Sequence, residues 1–315
     1  MENVSLRDTD TNVLSPVYDL LARQDFEGAI GRMEDALGAN FDNVEVTSAL
    51  KCAKFWQDRF RMLEKYPSEY EKAEYLMGQW NTFPAFTSRM DLPDRCACVF
   101  KNLVFHAALA LYESLVDATP TAVKDADILL RVGRCYKALG EYDKALRSLD
   151  AANQVKKENA EILAELADSY ALVNEMQLSK AYFREAFFIN PQAVNLERIE
   201  SAMICRLADK LKSMGLSGPG IPEWIPVYGV LYNVLNVKRE LRSIEYGKLR
   251  QSIYSLEVEI REAPAKKEIL LPRLLTRYFW LIDHYRLTKS AREKIDEVML
   301  KIKELSPAIY EEYTQ

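Results

Sequence analysis

The fold is decided by residues 126–159, ADILLRVGRCYKALGEYDKALRSLDAANQVKKEN, and by residues 160–193, AEILAELADSYALVNEMQLSKAYFREAFFINPQA, which align without a gap at an offset of 34. Large side chains match large ones and small side chains match small ones at the corresponding positions. A period of 34 residues is typical of a repeated helix–turn–helix unit. The sequence therefore predicts two consecutive antiparallel hairpins of α-helices in this part of the chain.

Small residues recur where the two helices of each hairpin should meet. Helices approach closely only where the side chains between them are small. We therefore expect Gly133 on the first helix to face Ala145 on the second, and Ala167 to face Ser179 in the next copy. The matching small positions further along the second helices are Ala152 and Ala186.

Two tyrosines and two helix-ending residues complete the repeat. Tyr136 and Tyr170 follow the small site by three residues on the same stripe, and we expect them to fill the gap between neighbouring hairpins. Gly140 stands where the first helix should stop, a position that favours left-handed backbone. Pro191 stands where the second copy should end.

These positions resemble the tetratricopeptide-repeat (TPR) family, whose order of bulky, Leu, Gly, Tyr, Ala, aromatic, Ala and Pro residues they follow. The resemblance implies an all-α fold, a TPR-like superhelical array of antiparallel helix hairpins (an α-solenoid) with a less regular helical C-terminal part. It also implies a protein that binds other proteins or peptides.

The array is predicted to extend over residues 12–214, with its best repeats at 126–159 and 160–193. Upstream, residues 24–29 (QDFEGA) resemble residues 140–145 (GEYDKA) in spacing. Residues 215–222 (GLSGPGIP) are rich in turn formers and predict a linker. We expect residues 223–315 to be helical, as divergent repeats or as capping helices.

On the resemblance, the first helix of each repeat lines the concave face and forms a groove for the partner. Residues off the buried stripe of these helices would then contact the partner, or would simply be solvated surface charges. A third reading is that the arginines tie neighbouring repeats together. The predicted groove residues are Asp127, Leu130, Arg131, Arg134 and Lys137 in one repeat and Glu161, Glu165 and Asp168 in the next.

Charge and composition exclude some classes of partner. The formal net charge is −5 and the pI is near 5.4, so the chain lacks the basic surface that binding a phosphate backbone requires. We expect no nucleic-acid partner. No stretch reaches the 18 or so apolar residues of a membrane span, so we expect none.

The cysteines and the first residues predict a cytoplasmic protein. Five scattered cysteines are an odd number and do not form a disulfide framework. Residues 1–8 (MENVSLRD) have neither the basic leader nor the apolar core of a signal peptide. Export stays open if such a peptide was removed.

No pattern of catalytic, cofactor-binding or metal-binding residues is evident. His106 and His284 lie outside any zinc-protease or triad-like context, and the pair Cys96 and Cys98 has no second pair to complete a zinc site. We therefore predict a non-catalytic scaffold or adaptor without a cofactor. One alternative is a small-molecule carrier or an accessory subunit of a transport system, suggested by the aromatic residues between 224 and 232. Another is an enzyme with a catalytic C-terminal half.

Overall fold

A computed structural model describes residues 14–118 and 125–314 of the chain, so the predicted start of the array at residue 12 lies outside it. The described residues form fifteen α-helices and no β-strand, which confirms the all-α prediction. Within each of its two compact units, helices that are close in sequence pack against one another, as in an α-solenoid. The chain divides into two compact units, with unit 1 ending at Val155 and unit 2 beginning at Lys156.

The described part of unit 1 contains seven helices joined by short connections. They are α1 (14–22), α2 (Phe26–Ala39), α3 (Val44–Met62), α4 (Glu69–Thr87), α5 (Asp94–Ala118), α6 (Ala126–Ala138) and α7 (Tyr142–Val155).

The described part of unit 2 contains eight helices. They are α8 (Ala160–Leu172), α9 (Met176–Ile189), α10 (Ala202–Ser213), α11 (Gly220–Leu231), α12 (Ser243–Glu262), α13 (Lys267–Leu287), α14 (Arg292–Leu305) and α15 (Pro307–Thr314). Short 3-10 turns at Pro191–Ala193 and Leu196–Arg198 lead from α9 to α10.

The hairpin of α6 and α7 closes tightly around Gly133. A Cβ atom at this position would lie 2.6 Å from Cγ of Leu149 and 3.4 Å from the carbonyl oxygen of Ala145, both on α7. Ala145 and Ala152 are fully buried. The absence of a side chain at Gly133 therefore sets how closely these two helices approach.

Six helices end in the same backbone turn. In each, one residue adopts a positive φ angle, and the amide of the following residue donates to the carbonyl five residues before it, over 2.8 to 3.2 Å. This arrangement is a Schellman motif, which satisfies carbonyl groups that a helix end leaves without partners. The residues with positive φ are Gln24, Gly140, Asn174, Gly215, Asn233 and Lys289, after α1, α6, α8, α10, α11 and α13.

Side-chain caps begin several of the helices. Asp25, Asn43, Ser68 and Asn159 each accept a hydrogen bond from a backbone amide in the first turn of the helix that follows. Such caps satisfy donors that have no partner within the helix. Local hydrogen bonds thus fix where these helices begin.

An aromatic core holds α3, α4 and α5 together in unit 1. Trp56 on α3 lies between Phe55 and Phe83, with ring centroids 5.2 and 5.3 Å away, and it stacks on Trp80 at 6.2 Å. Phe83 also contacts Phe100 on α5 at 6.0 Å. Helix α4 thus packs against both of its neighbours in sequence.

Unit 2 departs from the sequence prediction at the predicted linker, residues 215–222, because α11 already begins at Gly220. Residues 214–219 connect α10 to α11, and Leu211 and Ile225 from these helices belong to one core cluster. That 215–222 separates two domains stays a prediction.

We predict opposite effects of alanine at two helical glycines. Gly133→Ala should lower the free energy of unfolding by about 1 to 3 kcal/mol, because its Cβ would overlap Leu149. Gly31→Ala on α2 should raise it by about 0.5 to 1 kcal/mol, because nothing lies within 4 Å of the added atom and alanine favours the helix. Urea unfolding measures both, and equal effects of the two substitutions would contradict this account of the α6–α7 contact.

We also predict a pH-dependent contribution from the first turn of α12. The carboxylate of Glu245 accepts the backbone N–H of Arg242 at 2.8 Å, and side-chain hydrogen bonds from Arg242 and Arg239 help to lower its pKa from 4.5 to about 2. Because the folded pKa lies below the unfolded one, this stabilisation is present above about pH 4.5 and is lost as the pH falls through about 2.

Glu245→Gln should therefore lower the free energy of unfolding by about 1 kcal/mol at pH 7. The difference in this free energy between the variant and wild type should shrink as the pH is lowered towards 2. Glu262→Gln, at the exposed end of the same helix, is the matched control and should show no such difference. Unfolding measured between pH 2 and pH 7 on all three proteins tests this. If wild type and Glu245→Gln differ in the free energy of unfolding by the same amount at every pH, the charge of Glu245 does not contribute to stability.

Candidate partner-binding surface

The predicted groove residues of unit 1 divide into an accessible group and a buried group. Asp127 is exposed, and Arg131 and Arg134 are half-buried on α6. Leu130 and Lys137 are only 2% and 5% exposed, so these two do not present an open surface, contrary to the expectation that they face a groove. The reason is that α6 is buried on more than one side, whereas the groove residues were predicted on the assumption that only one stripe of the helix is buried.

Arg131 is tied to α4 and α5. Its guanidinium donates to both carboxylate oxygens of Glu74, with Nε–Oε1 at 2.5 Å and Nη2–Oε2 at 3.3 Å. The hydroxyl of Tyr112 donates to the same carboxylate at 2.6 Å, and the ring of Tyr70 lies 5.3 Å from the guanidinium carbon. This network joins three helices of unit 1, so Arg131 has a structural role, with Glu74 as the partner that sequence reasoning did not find.

Tyr136 forms a second link between α5 and α6, because its hydroxyl donates to the carboxylate of Glu113. This hydrogen bond, together with burial, raises the pKa of Tyr136 to about 12. The ring is half-buried, and Nζ of Lys144 lies 5.3 Å from its centroid. Tyr136 therefore connects helices as well as filling space.

In unit 2, the predicted groove residues of α8 are largely buried. Glu161 is half-buried, whereas Glu165 and Asp168 are 3% and 0% exposed. The carboxylate of Asp168 accepts the backbone N–H groups of Glu200 and Ser201, at 3.1 and 2.7 Å, just before α10 begins. Asp168 thus satisfies amides at the start of α10, and a role in an open groove does not fit this position.

The repeat-defining residues of unit 2 occupy its core and its turns. Ala167 and Ala186 are fully buried, as is Ser179 on the facing helix. The ring of Tyr170 stacks on that of Tyr182, with centroids 5.5 Å apart and planes at 5°. Pro191 is buried in the 3-10 turn after α9.

The aromatic segment that suggested a carrier lies along α11. The rings of Trp224, Tyr228 and Tyr232 follow one another at centroid distances of 5.8 and 5.5 Å. Trp224 and Tyr228 pack against two core clusters of unit 2, and Tyr232 is 37% exposed. This segment therefore contributes chiefly to the core.

Two ion pairs of unit 2 contain a buried carboxylate on one helix and an arginine on another, and sequence reasoning missed both. Arg184 on α9 pairs with Asp283 on α13, and both are almost fully buried. The fully buried carboxylate of Glu223 on α11 accepts two hydrogen bonds from Arg273 on α13, at 2.8 and 2.5 Å. The sequence indicates these pairs only by the charged residues that stand among the apolar residues of α13. It does not show which residues on other helices they pair with.

The described residues contain no group of three or more His, Cys, Asp or Glu side chains that could hold a metal ion. One described helix, at residues 94–117, is long and apolar enough to cross a membrane, and a single helix of this kind is weak evidence for a span. Its residues Phe100, Val104 and Ala108 belong to the core of unit 1.

We predict that Arg131 and Glu74 are energetically coupled. A double-mutant cycle with Arg131→Gln and Glu74→Gln should give a coupling free energy of about 0.5 to 1 kcal/mol, because the pair is bidentate and partly shielded from solvent. The exposed pair of Lys54 and Glu34, 2.7 Å apart, is the control and should give a value near zero. Equal coupling free energies in the two cycles would show that the network around Arg131 does not strengthen its ion pair with Glu74.

Comparisons with known proteins give one partial similarity. No protein-family model matches the chain. Over 79 residues, which are 25% of this chain, it is 34% identical to anaphase-promoting complex subunit 3 from Dictyostelium discoideum, a TPR protein. The matched segment spans 8% of the length of that relative. The similarity and the all-helical structure are together compatible with a TPR-type protein, with a part in protein interaction and with protein partners.

Proposed function

We propose that this chain is a non-catalytic scaffold that binds a protein or peptide segment on the accessible face of its helix hairpins. The observation that carries the proposal is the recurrent hairpin itself, with tightly packed small residues inside and the same turn at its end. Arrays of such units offer extended surfaces for protein partners. The similarity to a subunit of a multiprotein complex supports the same conclusion.

The face of α6 is our candidate contact surface in unit 1. Asp127 and Arg134 lie on this helix away from its buried stripe, with Arg134 half-buried and Asp127 exposed. Arg131, between them, is held by Glu74, which compensates its charge, so the contact surface rests on Asp127 and Arg134. A charged surface of this kind steers partners and contributes to specificity more than to stability.

The proposal is tested by reversing the charge at Arg134. Bound proteins are captured from the source cells and measured by quantitative mass spectrometry. A reproducible set of the proteins captured by wild type should be missing or reduced with Arg134→Glu. Arg147→Glu, at an exposed position on α7 whose hydrogen bond is to a carbonyl of its own helix, is the matched control and should retain them. Melting temperatures of both variants should stay within a few degrees of wild type.

Two results would overturn the proposal. One is the capture of no protein reproducibly by the wild-type chain. The other is that both Arg134→Glu and Asp127→Lys, a second charge reversal on the same face, capture the same proteins as wild type, because the face of α6 would then not be the contact surface.

A further inference from the structure

Arg277 on α13 is a partly buried cation without a carboxylate partner. Its Nε donates to the hydroxyl of Ser252 at 3.1 Å, and its Nη1 donates to the carbonyl of Arg273 at 3.1 Å. The ring of Phe188 lies 5.1 Å from the guanidinium carbon. No carboxylate of the described residues lies within 4 Å of this side chain, so its neighbours are an alcohol, a carbonyl and an aromatic ring.

The nearest buried acid is already matched by another base. Both oxygens of Glu223 bond to Arg273, one turn before Arg277, and one of them also accepts from Gln192 at 2.8 Å. Glu223 therefore bonds to Arg273 and acts on Arg277 only through the longer-range attraction of its charge, while Glu259 adds a second negative charge near Arg273. Burial and the charge of Arg273 lower the pKa of Arg277 to about 10, as expected for a cation that is not fully compensated.

One nitrogen of the Arg277 guanidinium has no hydrogen-bond partner among the described residues. The Nη2 group of Arg277 makes no hydrogen bond to the described residues, and it is not among the side-chain atoms sealed from solvent. A guanidinium presents its N–H groups in a planar fork that matches the oxygens of a carboxylate or a phosphate. Surrounded by Phe188, Ser252 and Arg273, this fork is held in place before any ligand arrives.

We propose that Arg277, together with Arg273, forms an oxyanion-binding site in unit 2 that takes a carboxylate or phosphate group carried by a bound protein segment. The bound oxygens would accept from Nη2 of Arg277 and would place a negative charge beside a guanidinium that has no hydrogen-bonded carboxylate. That the oxyanion belongs to a protein rests on the function proposed above, whereas the site itself does not.

Thermal unfolding of the full chain tests the site with simple anions as probes. Wild-type protein is melted in sodium chloride, sodium phosphate and sodium acetate at equal ionic strength and at pH 7. Binding to the folded state raises the melting temperature, so phosphate, acetate or both should give a gain of about 3 °C over chloride. Which of the two anions acts distinguishes a phosphate from a carboxylate ligand.

Matched variants separate binding from the general stabilisation that phosphate gives any protein. Arg277→Met keeps an extended side chain against Phe188 and should lose the gain, while its melting temperature in chloride should equal or exceed that of wild type. Arg292→Gln, at an arginine that is 90% exposed on α14, should retain the gain. If Arg277→Met does not fold, Arg277→Lys provides the readout and should show a reduced gain.

An equal gain in wild type and in Arg277→Met would overturn the site, as would no gain with either anion. A melting temperature of Arg277→Met in chloride well below that of wild type, with the anion gain retained, would show that the arginine is purely structural. Protein capture by the face of α6 without any anion effect would refute this site and leave the proposed function intact. An anion effect without protein capture would support this site and refute the proposed function.

Discussion

The structure depends on the close approach of paired helices at positions where almost no side chain is present. At Gly133 even one added carbon would overlap Leu149, and Ala145, Ala167 and Ala186 are fully buried. Because interiors are packed as densely as organic crystals, this spacing fixes where the larger residues of each hairpin can go. The aromatic and aliphatic core residues then fill the space that the small residues define.

The sequence predicts the structure within one repeat, but it does not predict contacts between residues that are far apart in the chain. The hairpins at 126–155 and 160–189 follow from a 34-residue period, small residues and turn formers, all of which are visible within one repeat. Glu74, by contrast, lies 57 residues from Arg131, and Asp283 lies 99 residues from Arg184. Such pairs depend on how helices meet, and no periodic pattern specifies that, so groove residues chosen by helical position alone included several that the fold buries.

Buried charges give unit 2 a different character from an apolar helical core. A buried ion pair is weak evidence for stability, because removing two charges from water costs much of what their attraction provides. Its geometric demands are strict, however. Arg184 can meet Asp283 only when α9 and α13 are in the correct register, and Glu223 imposes the same requirement on α11 and α13. These pairs favour one arrangement of helices over others of similar hydrophobic content.

The shared turn at the ends of six helices bears on how such a chain can evolve. Its defining hydrogen bonds join backbone atoms only, and glycine, asparagine, glutamine and lysine all occupy the left-handed position. The geometry of a hairpin therefore persists while its side chains are exchanged, at a modest strain wherever glycine is absent. Ancestral copies of one unit can in this way lose their resemblance to each other, and to any consensus, long before they lose their shape.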